Sequence, residues 1–215
     1  ARTVHAAFGS ALDLSSPDSD VRTAGIEAFR AALDLAVRMQ AQIVVVHASA
    51  EPIPDEDRIA RMAEAKRSIR TMVDMAGNAG CRIAVELLPR SCLGNSAQEL
   101  LALLEGVDPC TAGVCLDTNH MMADFVALPD AVRTLGPRLI ALHCSDYDGI
   151  DEKHWPPLRG VIDWPAFLTA LSDIRFQGPL NYEATLDGET PAEKLAFLED
   201  NYARLVSSCA SPRSA

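Results

Sequence analysis

The sequence predicts an α/β fold built from parallel βα units, and three observations support this prediction. Short apolar runs alternate along the chain with longer segments in which apolar residues recur at helical spacing. The runs are rich in leucine and β-branched residues and do not alternate with polar residues, as is typical of strands buried on both faces. An Asp, Glu or His follows each run directly, except in the first run, where His5 comes directly after Val4 and before the last residue of the run.

The candidate strands are six apolar runs, of which the first and the last match the strand pattern least well. In chain order they cover residues 3–6, 43–46, 83–85, 113–116, 139–142 and 180–182. No low-complexity linker divides the chain, so we expect one domain over residues 1–206, which the resemblance described below identifies as a partial barrel, and a frayed serine-rich tail over residues 207–215.

Helices are predicted between these runs. One helix follows Asp18, and a second ends between residues 77 and 80, where two glycines occur. Asp163 can cap a third helix. Residues 190–193 form a capping box with proline at the first helical position, which predicts a helix over the following residues.

Composition limits the class of protein. The net charge of −11 and the lack of a basic run with aromatic residues argue against a nucleic-acid partner. No stretch of ~18 uninterrupted apolar residues occurs, so no membrane span is expected. The six cysteines are scattered without a Cys-x-x-Cys pair, which indicates reduced thiols and a cytoplasmic location. The sequence leaves a homo-oligomer open.

A residue able to bind a cation stands at the end of every candidate strand. These residues are His5, His47, Glu86, Asp117, His143 and Glu183. Asp and Glu together number 30 and His 5 among 215 residues, so six matches at six strands are improbable by chance. The carboxyl ends of parallel strands meet at one rim, where clustered charges are costly unless a cation balances them. The pattern therefore predicts a divalent metal site for Mn²⁺, Mg²⁺, Co²⁺ or Zn²⁺.

Each of these residues also has a structural alternative when taken alone. His5 could hydrogen-bond to a loop, and Asp117 could cap the next helix. The polar loop after His143 could simply be solvated, although its length is typical of functional loops. Further polar candidates lie in the loops after the fourth and fifth strands, at His120, Glu152 and His154.

At these residues the sequence resembles the xylose isomerase-like TIM-barrel superfamily, which includes sugar phosphate isomerases and epimerases and the endonuclease IV-type AP endonucleases. The most specific matches are Leu-Asp-Thr-Asn-His at residues 116–120 and His-Cys-Ser-Asp at 143–146, ahead of Gly-Val-Ile-Asp-Trp at 160–164. The other matching stretches cover residues 4–6, 45–47, 85–89, 152–154 and 181–183, so the resemblance spans nearly the whole chain. It implies a (β/α) barrel. The family pattern places His5 on the third strand, so we expect two N-terminal βα units to be missing from this sequence.

The resemblance also implies a metal-dependent sugar or sugar phosphate isomerase or epimerase with a small-molecule sugar substrate. The metal ligands would be Glu86, Asp117, His143 and Glu183. Glu86 and Glu183 would also move the substrate proton through an enediolate, and His120 would contact the sugar. This is the preferred hypothesis.

The endonuclease branch supplies the alternative hypothesis, a zinc phosphodiesterase acting on abasic DNA. There nine residues hold three zinc ions, and counterparts of the five remaining ligands are His5, His47, His120, Glu152 and His154. A degenerate barrel that only binds a ligand is the third hypothesis. Three departures from the family pattern bear on the choice. Glu152 stands where that branch has Asp, Pro157-Leu158-Arg159-Gly160 replaces Pro-Gly-x-Gly, and the arginine of some ketose epimerases is absent near Gly149.

Overall fold

The computed structural model describes residues 2–208 and contains one five-stranded parallel sheet. The strands follow chain order in the sheet: β1 Thr3–His5, β2 Ile43–Val46, β3 Arg82–Glu86, β4 Ala112–Asp117 and β5 Leu139–His143. The α-helices are α1 Ser19–Met39, α2 Arg58–Asn78, α3 Ala97–Leu103, α4 Leu128–Leu135, α5 Trp164–Asp173 and α6 Pro191–Ser208. Strands and helices alternate, so the predicted parallel α/β fold is confirmed.

The sheet curls strongly, and the two faces of its strands pack against different partners. Val44, Val46 and Val85 belong to a large core that includes residues of the helices. Val45 and Ala84, on the opposite face, form a separate small cluster inside the curl with Cys115, Ile140 and Ala141. This division is the one found in βα barrels, where inward-pointing side chains fill the interior and outward-pointing ones meet the helices.

The first five predicted strands are confirmed, but the sixth is wrong as a full strand. Residues 180–182 make only one parallel bridge, between Cys144 and Tyr182. Cys144 N donates to Asn181 O at 2.7 Å and Glu183 N donates to Cys144 O at 3.1 Å. Within residues 2–208 no strand pairs with the other side of this segment. The curl still brings it near β1, since Asn181 Nδ2 lies 3.5 Å from Thr3 Oγ1.

The predicted helix caps form as expected. The side chain of Asp163 accepts a hydrogen bond from Ala166 N at 3.0 Å. The capping box is reciprocal, with Glu193 N donating to Thr190 Oγ1 at 3.2 Å and Thr190 N donating to Glu193 Oε2 at 3.0 Å. The predicted tail begins inside α6, which runs to Ser208, and residues 209–215 lie outside the described residues.

The sequence analysis missed two short helices, α3 and α4. The signal for α4 is present, because its buried residues Leu128, Ala131, Val132 and Leu135 have the i, i+3, i+4, i+7 spacing of one helical face. The described cysteines, Cys81, Cys92, Cys110, Cys115 and Cys144, carry free thiols. None of the helices between residues 2 and 208 has the length and apolar character needed to cross a bilayer.

Candidate metal centre

Nine potential metal ligands meet at one rim, which is formed by the carboxyl ends of the strands and the segments that follow them. Within each of three groups the candidate ligand atoms lie within 4.8 Å of one another. We call these the inner group (Glu86, Asp117, His143, Glu183), the lateral group (His5, His47, Glu86) and the outer group (His120, Glu152, His154). The structure thus brings together every site residue predicted from the sequence.

The inner group is built on three strand ends and on the segment that bridges to Cys144. His143 Nδ1 lies 2.8 Å from Glu86 Oε1 and 2.7 Å from Glu183 Oε2. Asp117 is completely buried, and its Oδ1 accepts a hydrogen bond from Asn119 N at 2.7 Å. Burial raises the pKa of Asp117 to about 6.

The surroundings of the other oxygen of Asp117 test whether a cation fits the inner group. Among residues 2–208, Asp117 Oδ2 is buried without a hydrogen-bond partner, and His120 Nδ1 lies 3.6 Å away. A buried carboxylate oxygen without a partner is costly, and a cation at this point would balance it. Three carboxylates and an imidazole form a donor set that suits a divalent ion. The residues of the inner group therefore fit a divalent metal.

Glu86 belongs to both the inner and the lateral group. Its Oε2 lies 2.8 Å from His5 Nε2 and 3.1 Å from His47 Nε2, whereas its Oε1 faces His143. Burial alone would raise the pKa of Glu86. The hydrogen bonds from His143, His47 and His5 outweigh burial and hold that pKa well below its usual range. The carboxylate can therefore contribute one oxygen to each of two neighbouring groups.

Three histidines are oriented by backbone carbonyls. His5 Nδ1 lies 2.7 Å from Ala6 O, His120 Nδ1 lies 2.8 Å from Leu87 O, and His154 Nδ1 lies 3.1 Å from Glu183 O. A carbonyl oxygen only accepts, so each Nδ1 carries a hydrogen and donates it. Nε2 is then the nitrogen that faces the candidate ion, an arrangement common among metal-binding histidines.

Electrostatics around two of these imidazoles favours positive charge at the rim. Burial lowers the pKa of His5, but its hydrogen bond to Glu86 and the charge of that carboxylate raise it more. Burial likewise lowers the pKa of His120, and the charges of Asp117 and Glu86 raise it more. Both pKa values end above the usual value for histidine, because the surrounding carboxylates attract a positive charge.

The outer group lies on loops rather than on strand ends. Glu152 Oε2 lies 3.8 Å from His120 Nε2 and 4.0 Å from His154 Nε2. His154 adopts a left-handed backbone conformation with φ 47°, and its carbonyl accepts a hydrogen bond from Thr185 N at 2.8 Å. These contacts join the loop after β5 to the segment that carries Glu183.

The rim groups open into a cavity of about 400 Å³. This volume lies within the range of about 300–1,000 Å³ that small-molecule sites usually have. Its wall includes residues that the sequence analysis did not single out: Phe8, Ser49, Glu51, Arg90 and Cys92. Phe8 stacks on His47 with ring centroids 3.9 Å apart. None of these residues follows a strand directly, so the strand-end pattern could not find them.

Asp146, in the loop after β5, ties that loop to the start of α5. Its Oδ2 accepts a hydrogen bond from Trp164 Nε1 at 2.8 Å, and its Oδ1 accepts one from Ile162 N at 3.2 Å. The Asp of the His-Cys-Ser-Asp stretch therefore anchors α5. In the same loop Leu158 has φ 72°, so the segment that replaces Pro-Gly-x-Gly keeps a left-handed residue there.

Comparison with known proteins finds curated relatives that are described as sugar epimerases. The chain is 27% identical over 187 residues to an L-ribulose 3-epimerase from Methylomonas sp. (strain DH-1), a match covering 84% of this chain and 63% of that protein. It is 26% identical over 182 residues to a ketose 3-epimerase from Arthrobacter globiformis, covering 82% of this chain and 61% of that protein. The chain thus spans about three fifths of the length of these curated relatives.

Solved structures and a family model agree on the fold. A D-tagatose 3-epimerase-like protein superposes with a TM-score of 0.80 at 22% identity, covering 96% of this chain and 78% of that one. A family model described as xylose isomerase-like TIM barrel matches residues 2–201. Since that match spans nearly the whole chain, the protein belongs to the xylose isomerase-like TIM-barrel family.

Proposed function

We propose that this chain carries the metal-dependent active site of a sugar isomerase or epimerase, with a ketose or related polyol as its substrate. The observation that carries the proposal is the convergence of the inner group, whose ligand atoms lie within 4.8 Å of one another at the cavity. The names of the relatives support the choice of reaction, since those proteins are described as ribulose and ketose 3-epimerases.

The ion would be held by Glu86, Asp117, His143 and Glu183. A bound divalent ion would hold neighbouring oxygens of the sugar and stabilise the negative charge that develops when the proton leaves. The four ligands are hard oxygen donors and one imidazole, which suits Mn²⁺, Mg²⁺, Co²⁺ or Zn²⁺.

The two glutamates are the candidate proton carriers. The side chain of Glu183 is 46% exposed and lines the cavity, so it can reach a substrate carbon from the open side. Glu86 also lines the cavity, but three histidines hold its carboxylate, which fixes its position. One carboxylate would accept the proton from the carbon beside the carbonyl, and the other would return a proton to the enediolate.

Neighbouring cavity residues would orient the sugar. The imidazoles of His5, His47 and His120 can exchange hydrogen bonds with sugar hydroxyls wherever they do not bind an ion. Phe8 is 60% exposed and lines the same cavity, so its ring can pack against the apolar C–H face of a sugar.

The direct experiment strips the protein with a chelator, reloads it with each divalent ion, and incubates it with a panel of ketoses in heavy water. We expect deuterium to enter at the carbon beside the carbonyl and an epimer or aldose isomer to form, with both dependent on metal. The proposal is wrong if the metal-loaded protein exchanges no carbon-bound proton on any ketose of the panel.

A second candidate function rests on the sharing of Glu86 and on the outer group. A carboxylate that offers one oxygen to each of two ligand groups, next to a third group, fits the nine-ligand zinc arrangement that the resemblance implies for a phosphodiesterase. The zinc-loaded protein can therefore be tested for nicking of a duplex that contains one abasic site. The net charge of −11 opposes this function, because duplex DNA attracts basic surfaces.

A further inference from the structure

We propose that Arg90 is a positioning residue for the outer group, because its guanidinium holds Glu152 with one carboxylate oxygen turned toward His120 and His154. The inference goes beyond the proposed function, and it depends on the outer group binding a divalent ion.

The two oxygens of Glu152 have different neighbours. Oε1 lies 2.6 Å from Arg90 Nη1. Oε2 is the oxygen that lies 3.8 Å from His120 Nε2 and 4.0 Å from His154 Nε2. Because Arg90 occupies one oxygen, the other one is left facing the two imidazoles that would share an ion with it.

Glu51 in turn holds Arg90. Arg90 Nε lies 3.0 Å from each oxygen of Glu51, and Arg90 Nη2 lies 2.6 Å from Glu51 Oε1. These contacts use the edge of the guanidinium opposite Nη1, and paired contacts of this kind fix the guanidinium plane. Nη1 is therefore directed at Glu152 by a second carboxylate, which lies in the loop after β2.

The backbone that carries Arg90 is also tied down. Asn95 Nδ2 donates to Arg90 O at 2.7 Å. Arg58, at the start of α2, donates to Ser91 O at 2.9 Å and to Cys92 O at 2.8 Å. Ser49 Oγ accepts a hydrogen bond from Leu93 N at 2.9 Å, which joins the loops after β2 and β3. Arg90 thus extends from a braced pair of loops to a third loop.

Glu152 has little else to orient it. Its backbone N donates to the side chain of its neighbour Asp151 at 2.9 Å, which stays within the same loop. A glutamate side chain loses rotamer freedom when it is fixed in one conformation. Arg90 fixes Glu152 before an ion binds, so ion binding does not have to offset this loss of rotamer freedom.

The charge of Arg90 works against this effect, because a cation near the outer group repels a metal ion. Glu51 offsets this charge through its paired contacts with the guanidinium, and Asp151 lies 3.5 Å from Arg90 Nη1. The remaining effect is the orientation of Glu152, so Arg90 should strengthen metal binding. Groups that orient metal ligands in this way typically change metal affinity by about 10–100-fold.

The test is a zinc titration of the full chain, with bound zinc counted by elemental analysis after dialysis. His120→Gln first identifies which bound ion belongs to the outer group. Arg90→Gln should then weaken that ion by about 10–100-fold and leave the other ions at wild-type affinity. Arg90→Lys keeps one charged donor for Glu152 and should restore part of the loss, which a merely structural role would not produce.

Arg67→Gln is the matched control, because Arg67 forms an exposed ion pair with Glu64 within α2. It should leave every zinc affinity unchanged. If Arg90→Gln does not fold, Arg90→Lys alone decides, and wild-type affinity for the outer ion in that variant overturns the inference.

The remaining outcomes separate this inference from the proposed function. An outer ion bound by Arg90→Gln as tightly as by wild type overturns the role of Arg90 and leaves the inner group untouched. A wild-type protein that holds no ion at the outer group overturns it as well. The heavy-water exchange assay judges the epimerase proposal separately, since that proposal depends only on the inner group.

Discussion

The inner and outer groups offer similar ligands but are built by different parts of the fold. Glu86, Asp117 and His143 close strands β3, β4 and β5, and their side chains are 2%, 0% and 10% exposed. Glu152 and His154 belong to the long loop after β5, with side chains 23% and 35% exposed. One group is set by the strand ladder and the other by contacts between loops.

This contrast indicates which parts of the fold hold metal ligands rigidly and which parts allow the ligands to change. A strand end cannot shift without breaking ladder hydrogen bonds, so Glu86, Asp117 and His143 are already arranged before an ion binds. The outer group depends on Arg90, on Leu87 O and on Glu183 O, each of which one substitution in a loop could change. We therefore expect catalysis to depend on the inner group and substitutions to alter metal binding mainly in the outer group.

Glu183→Gln is the change with the largest expected effect. It removes a proton carrier and one charge from the inner group, while the amide keeps nearly the same shape. Loss of a general acid or base typically costs about 10²–10⁴-fold, so we expect a loss of kcat of that size in the ketose exchange assay.

Glu152→Gln is the matched change in the outer group. It should remove the outer ion and lower kcat by less than about 10-fold, because it lies outside the proposed proton path. If both variants lose activity equally, the contrast between the groups fails.

Metal removal should lower stability mainly through the inner group. An ion at 100 times its Kd stabilises the folded state by about 2.7 kcal/mol, and a chain of this size changes its Tm by about 2–4 °C per kcal/mol. We expect a chelator to lower the Tm by about 5–10 °C, as measured by calorimetry. Asp117→Asn should abolish most of this metal-dependent difference, whereas Glu152→Gln should keep most of it. The reverse order would contradict the contrast.

The inner group could be predicted because an apolar run followed by an acidic residue or a histidine marks each strand end in the sequence. Val114-Cys115-Leu116 is an apolar run, and the residue that follows it, Asp117, must face the rim whatever the loops do. The residue after the sixth run, Glu183, joins the inner group even though the strand itself reduces to one bridge.

The loop contacts could not be predicted, because they depend on where three chain segments meet in space. Arg90, Glu51 and Glu152 are separated by 39 and 62 positions, and no spacing rule joins them. Phe8 gives no signal either, since a lone aromatic after a short strand is as common in cores as in sites. The structure was needed for Arg90, Glu51 and Phe8, whereas the polar loop after β5 and the resemblance indicate Glu152 and His154 in the sequence.

Gly160→Ala tests the part of the loop after β5 that packs closely against Asp146 and Tyr147. A Cβ at Gly160 would lie 2.1 Å from Tyr147 O and 2.4 Å from Asp146 Oδ1, and backbone cannot yield cheaply. Overpacking of this kind costs about 1–3 kcal/mol, so we expect about 2 kcal/mol of destabilisation in urea unfolding. Gly77→Ala is the control, because nothing lies within 4 Å of its Cβ position inside α2 and alanine favours the helix. A neutral Gly160→Ala would mean that this part of the loop is as adjustable as the outer group.

Leu158→Gly should have the smallest effect, because the relief of backbone strain is opposed by the greater freedom of the unfolded chain and by the loss of side-chain packing. Leu158 has φ 72°, and a left-handed conformation costs an L-residue about 1–2 kcal/mol, which glycine avoids. Glycine also frees the unfolded chain by about 0.5–1 kcal/mol and removes a side chain packed against the core. We expect a net change within about 1 kcal/mol in urea unfolding. Leu158→Ala keeps the left-handed strain and still loses the packing, so it should be less stable than Leu158→Gly. If alanine is instead the more stable of the two, the backbone at Leu158 does not require a left-handed residue.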